Sequence, residues 1–229
     1  MSLRRRLLLQ VPLALGAGAA LAQVPPRGSE VAQYAGLHLA AHHGDVAALR
    51  RLLAAGADVN VREAYGRTAV HVATFARQRE ALQVLAQAGA NLGLLEADRY
   101  DAVTIAAVAD DEETLRLLLS LGASAKLVTS RYDGTALIAA AHLGHDGVVR
   151  QLIAAGAPLD HVNNLHWTAL IEAIVLGDGG KRHQATLQAL LKAGASTALA
   201  DRSGRTPLQL ARANGYAEMV RLLEQAGAR

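Results

Sequence analysis

The stretch at residues 66–90, GRTAVHVATFARQREALQVLAQAGA, is the clearest copy of a unit that recurs along the chain. Its Gly-Ala ending returns at intervals of 33 to 38 residues, and the glycines are Gly56, Gly89, Gly122, Gly156, Gly194 and Gly227. Each Gly-Ala pair follows an apolar doublet such as Val84-Leu85. An apolar motif, led by a threonine in the clearer copies, stands upstream at a fixed offset. Six phased copies of one unit indicate a fold of stacked repeats.

This unit resembles the ankyrin repeat, which has about 33 residues, a Thr-Pro-Leu-His signature, a β-turn and two helices. Residues 66–73 and Gly204–Leu208 carry the first half of the match, and Leu52–Asn60 carries the second half. The resemblance implies an all-α fold, an α-solenoid of about six ankyrin repeats over residues 30–229. Each repeat would be a helix-turn-helix unit with a β-turn finger. By the same resemblance, the fingers and the first helices form a concave groove that binds a partner protein.

The residue types within the unit agree with this reading on physical grounds. A threonine before the first helix can cap its first turn, and Pro207 suits the first helical position. Alanines at one position let neighbouring helices approach closely; they are Ala40, Ala73, Ala106, Ala140, Ala173 and Ala211. The glycine after each second helix supplies a left-handed C-terminal cap. His38 and His71 fall on the signature histidine, which is expected to brace the neighbouring turn.

Three local features carry further expectations. A five-residue insertion near residues 177–183 separates the helices of repeat five and is predicted to be a flexible rim loop that touches the partner. The acidic run Asp110–Glu113 falls at the start of a second helix, where a solvated cap is expected. Glu172 replaces an aliphatic residue of its repeat, and exposure toward the groove would explain its charge.

The amino terminus reads as an export signal. Arg4, Arg5 and Arg6 precede an apolar run that ends in small residues, which predicts a cleavable signal peptide over 1–22 and a short linker over 23–29. The run is too short to be a good membrane anchor. The general secretory and twin-arginine routes both fit, and a periplasmic or secreted bacterial protein is expected. The 23 basic and 20 acidic residues of the whole chain become 20 of each without these three arginines. A neutral mature chain removes the main argument for binding nucleic acid.

Catalytic and metal chemistry find little support in the sequence. The chain has no Cys, which excludes thiolate nucleophiles and Cys-ligated zinc, and it has no G-x-S-x-G elbow. His142 and His145 have the spacing of half a metal site, but no third ligand is evident nearby. We therefore expect no cofactor and no metal. A metal-dependent enzyme that uses His142 and the repeat-five loop is the disfavoured alternative, and an assay for bound metal would test it.

Aromatic residues mark the candidate interface. Five of the seven aromatic residues fall in the fingers, where Tyr34, Tyr100 and Trp167 form one column and Tyr65 and Tyr132 another. First-helix residues expected to face the groove are apolar or histidine. The predicted partner-binding residues are Tyr34, Tyr65, Tyr100, Tyr132, Trp167, His42, His43, Phe75, His142, Leu143 and Val175. Tyr and Trp are enriched in protein interfaces, and Tyr100 and Trp167 are the expected hot spots. The alternative for the aromatic columns is that each ring simply packs on the next finger.

The sequence thus predicts a monomeric, non-catalytic module that binds a protein partner, in a scaffold or regulatory role. Some exported bacterial ankyrin proteins that this chain resembles in layout are associated with peroxide defence, so a periplasmic accessory factor that acts with catalase is an alternative. Co-purification with a catalase would distinguish it. An effector that acts inside another cell is a third possibility, which a neutral mature chain neither favours nor excludes.

Overall fold

The computed structural model describes residues 25–229, and the predicted signal peptide at 1–22 lies outside them. A short helix, α1 (Gly28–Val31), precedes six helix pairs. The pairs are α2 (Gly36–His43) and α3 (Val46–Ala54), α4 (Ala69–Phe75) and α5 (Arg79–Gln87), α6 (Ala102–Val108) and α7 (Glu112–Ser120), α8 (Ala136–Leu143) and α9 (Asp146–Ala154), α10 (Ala169–Val175) and α11 (Lys181–Lys192), and α12 (Pro207–Ala213) and α13 (Ala217–Gln225). The predicted solenoid of about six two-helix repeats is confirmed.

The helices form two layers along the stack. Each first helix packs against the first helices of the neighbouring repeats, and each second helix packs against the neighbouring second helices. The alanine column of the first helices is buried from Ala40 to Ala211, as expected for positions where two helices approach closely. One departure from a purely helical chain is a ribbon in the fourth finger, where β1 (Val128–Thr129) pairs antiparallel with β2 (Gly134–Thr135).

Helix caps follow the sequence pattern. The side-chain oxygens of Thr135, Thr168 and Thr206 each accept a hydrogen bond from the backbone N–H three residues later. Asp101 does the same in repeat three, and Thr68 forms a capping box with His71. The glycine after every second helix has a positive φ, from 76° at Gly156 to 94° at Gly122. Both capping predictions are therefore confirmed.

The signature histidines brace the neighbouring turns, also as predicted. His38 Nε2 donates to the carbonyl of Arg67 at 3.0 Å, and His71 Nε2 donates to the carbonyl of Leu94 at 2.9 Å. His71 Nδ1 accepts the backbone N–H of Thr68 at 3.0 Å. Burial lowers the pKa of His71 to about 4, so the ring stays neutral and Nδ1 remains an acceptor.

The insertion in repeat five is anchored, so the prediction of a flexible rim loop is wrong. The added residues lengthen α11 to 12 residues, whereas the other second helices have nine. Tyr216 Oη donates to the carbonyl of Gly177 at 2.8 Å. His183 places Nε2 at 2.9 Å from the carbonyl of His142 and Nδ1 at 2.8 Å from Asp178 Oδ1. These contacts fix the segment to the repeats on both sides.

The acidic run caps its helix, but not entirely in solvent. Asp111 is the N-cap of α7 and accepts the backbone N–H of Thr114 at 3.1 Å. Its carboxylate is buried and lies 3.1 Å from Arg79 Nη2, which corrects the expectation of a fully solvated cap. Glu112 and Glu113 follow in the first turn and are exposed.

Candidate partner-binding groove

The fingers and the first helices form one continuous surface, which we call the groove. Neighbouring fingers are joined by backbone hydrogen bonds: Ala97 N–H donates to the carbonyl of Tyr65, and Asn164 N–H donates to that of Tyr132, both at 3.0 Å. Ser130 N–H donates to the carbonyl of Arg99 at 2.8 Å. The fingers are therefore held in register, and the side chains at their tips have fixed spacing.

Exposed apolar side chains are concentrated on this surface. The large apolar residues that are exposed between residues 25 and 229 are Leu39, Val61, Tyr65, Val128, Tyr132, Val162, Leu165 and Leu176. Six of them belong to fingers, one to α2 and one to the end of α10, and none of the eight lies on a second helix. Tyr65 and Tyr132 of this set are among the predicted partner-binding residues.

At the N-terminal end, three predicted residues come together. The ring of Tyr34 lies 5.9 Å from that of His42, and the His42 and His43 rings are 5.2 Å apart. Burial, followed by the neighbouring His43, lowers the pKa of His42. Tyr34 is only 7% exposed and belongs to the hydrophobic core. Tyr34, predicted to bind the partner, therefore packs inside the first repeat and leaves little ring surface for a partner.

Arg67 joins two more predicted residues, and sequence reasoning missed it. Its guanidinium lies 4.9 Å from the ring centre of Tyr65 and 5.8 Å from that of Phe75. Arg67 Nη1 also donates to Glu30 Oε2 at 2.7 Å, and both side chains are largely buried. The available signal was its position, because Arg67 stands directly before the helix-start residue, in the column of Tyr100 and Trp167.

The two aromatic columns differ in accessibility. Tyr65 and Tyr132 are 43% and 41% exposed at the fingertips. Tyr100 and Trp167 are half-buried, and Trp167 packs against the core. Burial is also the largest cause of the raised pKa of Tyr100. The fingertip column thus offers accessible ring surface, whereas the other column divides its rings between the core and the groove.

Between repeats four and five, half-buried apolar side chains lie beside one polar pair. Leu143 and Val175 are half-buried on α8 and α10. His142 keeps 26% of its side chain exposed, and its Nδ1 lies 3.5 Å from Glu172 Oε2. Glu172 itself is only 4% exposed, so the expectation that it faces solvent is wrong.

A finger residue explains how the Glu172 carboxyl is held inside. Asn163 Nδ2 donates to Glu172 Oε1 at 2.9 Å. Asn163 Oδ1 accepts the backbone N–H groups of Leu165 and Trp167, both at 3.0 Å, which closes the finger turn. In repeats two, three and six, Glu63, Glu96 and Asp201 accept the equivalent turn N–H groups, and none of these acids has an amide to donate. Asn163 and Glu172 therefore form a matched pair particular to repeat five.

Metal-binding geometry is not seen in the described part of the chain. Between residues 25 and 229, no group of three or more His, Asp or Glu side chains could hold a metal ion. The Nδ1 of His145 donates to the carbonyl of Ala107 at 2.9 Å, so that nitrogen serves the packing between repeats. Over the same residues, no helix is both long and apolar enough to cross a membrane.

Comparison with known proteins decides the family. Three models of ankyrin repeats match the chain: "Ankyrin repeats (3 copies)" at residues 103–201, "Ankyrin repeats (many copies)" at 37–86, and "Ankyrin repeat" at 203–229. YahD of Escherichia coli (strain K12), which is named as an ankyrin repeat protein, is 38% identical over 191 residues, or 83% of this chain and 94% of YahD. The chain belongs to the ankyrin-repeat family.

Solved ankyrin-repeat structures agree with this assignment. An ankyrin repeat domain from Acinetobacter baumannii AYE is 44% identical, with a TM-score of 0.80 over 84% of this chain and 98% of that one. The ankyrin repeat protein EF0377 is 30% identical, with a TM-score of 0.77 over 83% and 96% of the two chains. Ankyrin-repeat domains are in general non-catalytic modules for protein interaction, and this chain shares their fold along nearly the whole described length.

Proposed function

We propose that this ankyrin-repeat chain binds a partner protein through the groove, in a scaffold or regulatory role. The observation that carries the proposal is the one-sided distribution of exposed apolar side chains. All eight lie on fingers or first helices. Scattered exposed apolar residues need no explanation, but a concentration on one surface is typical of interaction sites.

The chemistry of the fingertips supports the same surface. Tyr65 and Tyr132 present large rings with a polar tip, which suits the centre of a protein interface. Salt bridges tie the tips together, since Arg99 lies 3.1 Å from Asp133 and Arg131 lies 3.5 Å from Asp98. A surface with paired charges and exposed apolar groups favours a protein partner over a nucleic acid, which requires unpaired basic residues.

A double substitution at adjacent fingertips tests the proposal. Tyr132→Ser with Leu165→Ser removes two exposed apolar side chains without entering the core. We expect partner affinity to fall by about thirtyfold or more, since interface anchors are each worth on the order of 2 kcal/mol. The partner would be recovered on the wild-type chain from cells that naturally make the protein, and the affinity then measured by calorimetry with the purified partner.

The matched control lies on the opposite helical layer. Arg116 in α7 and Gln188 in α11 are exposed on second helices, and Arg116→Ser with Gln188→Ser removes two side chains there. Wild-type affinity is expected for this control. Equal affinities of the fingertip variant and the wild type would refute the groove assignment, as would a loss confined to the second-helix variant.

We also propose that the chain is exported to a bacterial periplasm or beyond. The support is the arginine-led apolar segment at residues 1–22 and its small-residue end. Amino-terminal sequencing of the protein from the periplasmic fraction would then begin at Gln23. A mature protein that keeps Met1 would contradict export through this segment.

A further inference from the structure

Glu172 is an acidic residue at a position that the other repeats fill with apolar residues. The equivalent residues of the other first helices are Leu39, Val72, Ile105, Ala139 and Leu210. Asn163 satisfies Oε1 of the Glu172 carboxyl, but Oε2 is buried without a hydrogen-bond partner. A buried carboxylate oxygen without a donor is costly, so its protonation state requires an explanation.

A ring nitrogen that can share a proton with that oxygen lies close to it. Nδ1 of His142, on α8, lies 3.5 Å from Oε2 of Glu172, on α10, across the contact between the two first helices. A hydrogen bond between these atoms would need a separation of about 2.7–3.0 Å, less than 1 Å shorter than the present one. With Glu172 ionised and the ring of His142 protonated only at Nε2, two acceptors would face each other in a buried site. One proton between the atoms satisfies both.

The surrounding groups influence which atom holds that proton. His183, at the start of α11, has both ring nitrogens against acceptors, the carbonyl of His142 and the carboxylate of Asp178. The proximity of His183 disfavours a positive charge on His142 and lowers its pKa. His145, at the start of α9, is the other ionisable group that acts on His142.

The remaining packed elements add no charge at this point. The helix α6 contains no ionisable side chain, and the guanidinium of Arg212 on α12 pairs with Glu224 at 2.7 Å. Arg182 of α11 lies 3.6 Å from Asp146 of α9 and 2.8 Å from Asp110, so these charges pair with one another. Burial raises the pKa of Glu172 to about 7, against the opposing effect of Asn163. Burial, then His183 and His145, lowers the pKa of His142.

We propose that Glu172 and His142 share a single proton across the floor of the groove, and that this proton makes the contact between α8 and α10 sensitive to pH. With one proton, Glu172 donates from Oε2 to a neutral His142. Loss of the proton in alkaline solution leaves a buried carboxylate, whose Oε2 has a donor only when the remaining ring proton of His142 sits on Nδ1. Gain of a second proton in acid places a charged imidazolium against a neutral acid, which is a weaker acceptor than a carboxylate. Both changes loosen the contact.

Nuclear magnetic resonance of the isolated chain tests this pairing without any partner. The chain would carry ¹³C at the Glu side-chain carboxyl and ¹⁵N in the His rings, and would be titrated from pH 4.5 to 9. We expect the Glu172 carboxyl to titrate more than one pH unit above the usual glutamate value of 4.5. The His142 ring nitrogens should show a second inflection at the pH where Glu172 titrates.

Two variants separate proton sharing from a purely structural role. Glu172→Gln keeps an acceptor for Asn163 but has no titrating proton, so the upper inflection of His142 should disappear. Glu113→Gln, on the first turn of α7, should leave His142 unchanged. The proposal is overturned if Glu172 titrates with the surface glutamates, or if His142 titrates identically in the wild type and Glu172→Gln. Neither result depends on whether the groove binds a partner.

Discussion

At the residue scale, some finger turns contain backbone strain that a glycine would relieve. In five fingers, the residue three positions before the start of the first helix has a positive φ. These residues are Gly66 (71°), Arg99 (66°), Asp133 (52°), His166 (64°) and Gly204 (76°). A non-glycine residue in this left-handed backbone region costs roughly 1–2 kcal/mol. Arg99 and Asp133 pair with each other, whereas the side chain of His166 is exposed.

His166→Gly should therefore stabilise the protein. The expected gain is about 0.5–1 kcal/mol in the free energy of unfolding, because relief of the left-handed strain exceeds the added freedom of glycine in the unfolded chain. Urea unfolding followed by circular dichroism would measure it. His166→Ala keeps the strain and should give no gain. A destabilised His166→Gly variant would show that the histidine side chain contributes contacts of its own.

The buried carboxyl of Glu172 should give stability a pH dependence of known sign. Its folded-state pKa, about 7, lies above the usual value of 4.5. The folded state therefore binds the proton more tightly, and its contribution to stability is full below pH 4.5 and is lost as the pH rises through 7. Glu172→Gln should remove this loss. The variant should exceed the wild type at pH 8 by on the order of 2–3 kcal/mol, and by much less at pH 5.

Chemical unfolding of both proteins at pH 5, 6, 7 and 8 would check this prediction. The comparison between variant and wild type matters more than either curve, because His142 acts in the opposite direction. Its lowered pKa removes stability as the pH falls below 6.5. A constant difference between the two proteins from pH 5 to 8 would contradict a titrating Glu172.

At this scale, the features that have a local cause could be predicted from the sequence. The caps Thr135 and Thr168 and the bracing His71 follow from the residue type and its place in the repeat. The burial of Glu172 could not be foreseen in the same way. It depends on Asn163 in the finger of its own repeat and on His142 in the preceding repeat, whose side chains meet only once the repeats stack.

At the scale of elements, contacts from other repeats hold the insertion in repeat five in place. Asn214 Nδ2 donates to the carbonyl of Ile174 at 3.0 Å, and Tyr216 Oη donates to that of Gly177 at 2.8 Å, so repeat six secures it from one side. Arg182 reaches Asp110 of repeat three at 2.8 Å on the other side. The Gly-rich composition led to a prediction of flexibility because it reflects only the local conformational freedom of the backbone. The contacts that fix the segment come from other repeats and are not visible in its composition.

These contacts should protect the insertion from proteolysis. Trypsin cleaves after Lys and Arg, and both Lys181 and Arg182 are exposed at the start of α11. Cleavage there should be slow in the wild type, because the backbone must unfold locally to enter a protease. Tyr216→Ala removes the anchor at Gly177 and should speed cleavage at these two sites severalfold. Mass spectrometry of a timed digest would identify the sites.

A fingertip variant provides the comparison for that digest. Tyr65→Ala removes a tyrosine that is exposed and distant in sequence from the insertion, so cleavage after Lys181 and Arg182 should keep its wild-type rate. Rapid cleavage at these sites in the wild type would mean that the segment opens freely. That result would restore the prediction of a flexible loop.

At the scale of the whole molecule, the stack is an array in which stability is shared between neighbours. The second helix α9 contacts both α7 and α11, and it buries Gly147, Val148, Val149 and Leu152. Among residues 25–229, the second helix α3 has a second-helix neighbour on one side only, α5, and Leu49 is its one buried residue. This asymmetry follows from repeat number and could be predicted from the sequence, since end repeats lack one interface.

Native-state hydrogen exchange should therefore be graded along the array. Amides of α8 and α9 should open only with a free energy near that of global unfolding, and those of α3 and α13 at least about 1 kcal/mol more easily. Arg182→Ala breaks the salt bridge that joins repeats three and five and the longer contact with Asp146 of repeat four. It should lower protection in α11 more than in α5. Uniform protection from α2 to α13 would instead mean that all six repeats unfold as one unit, and the nearest-neighbour description would fail.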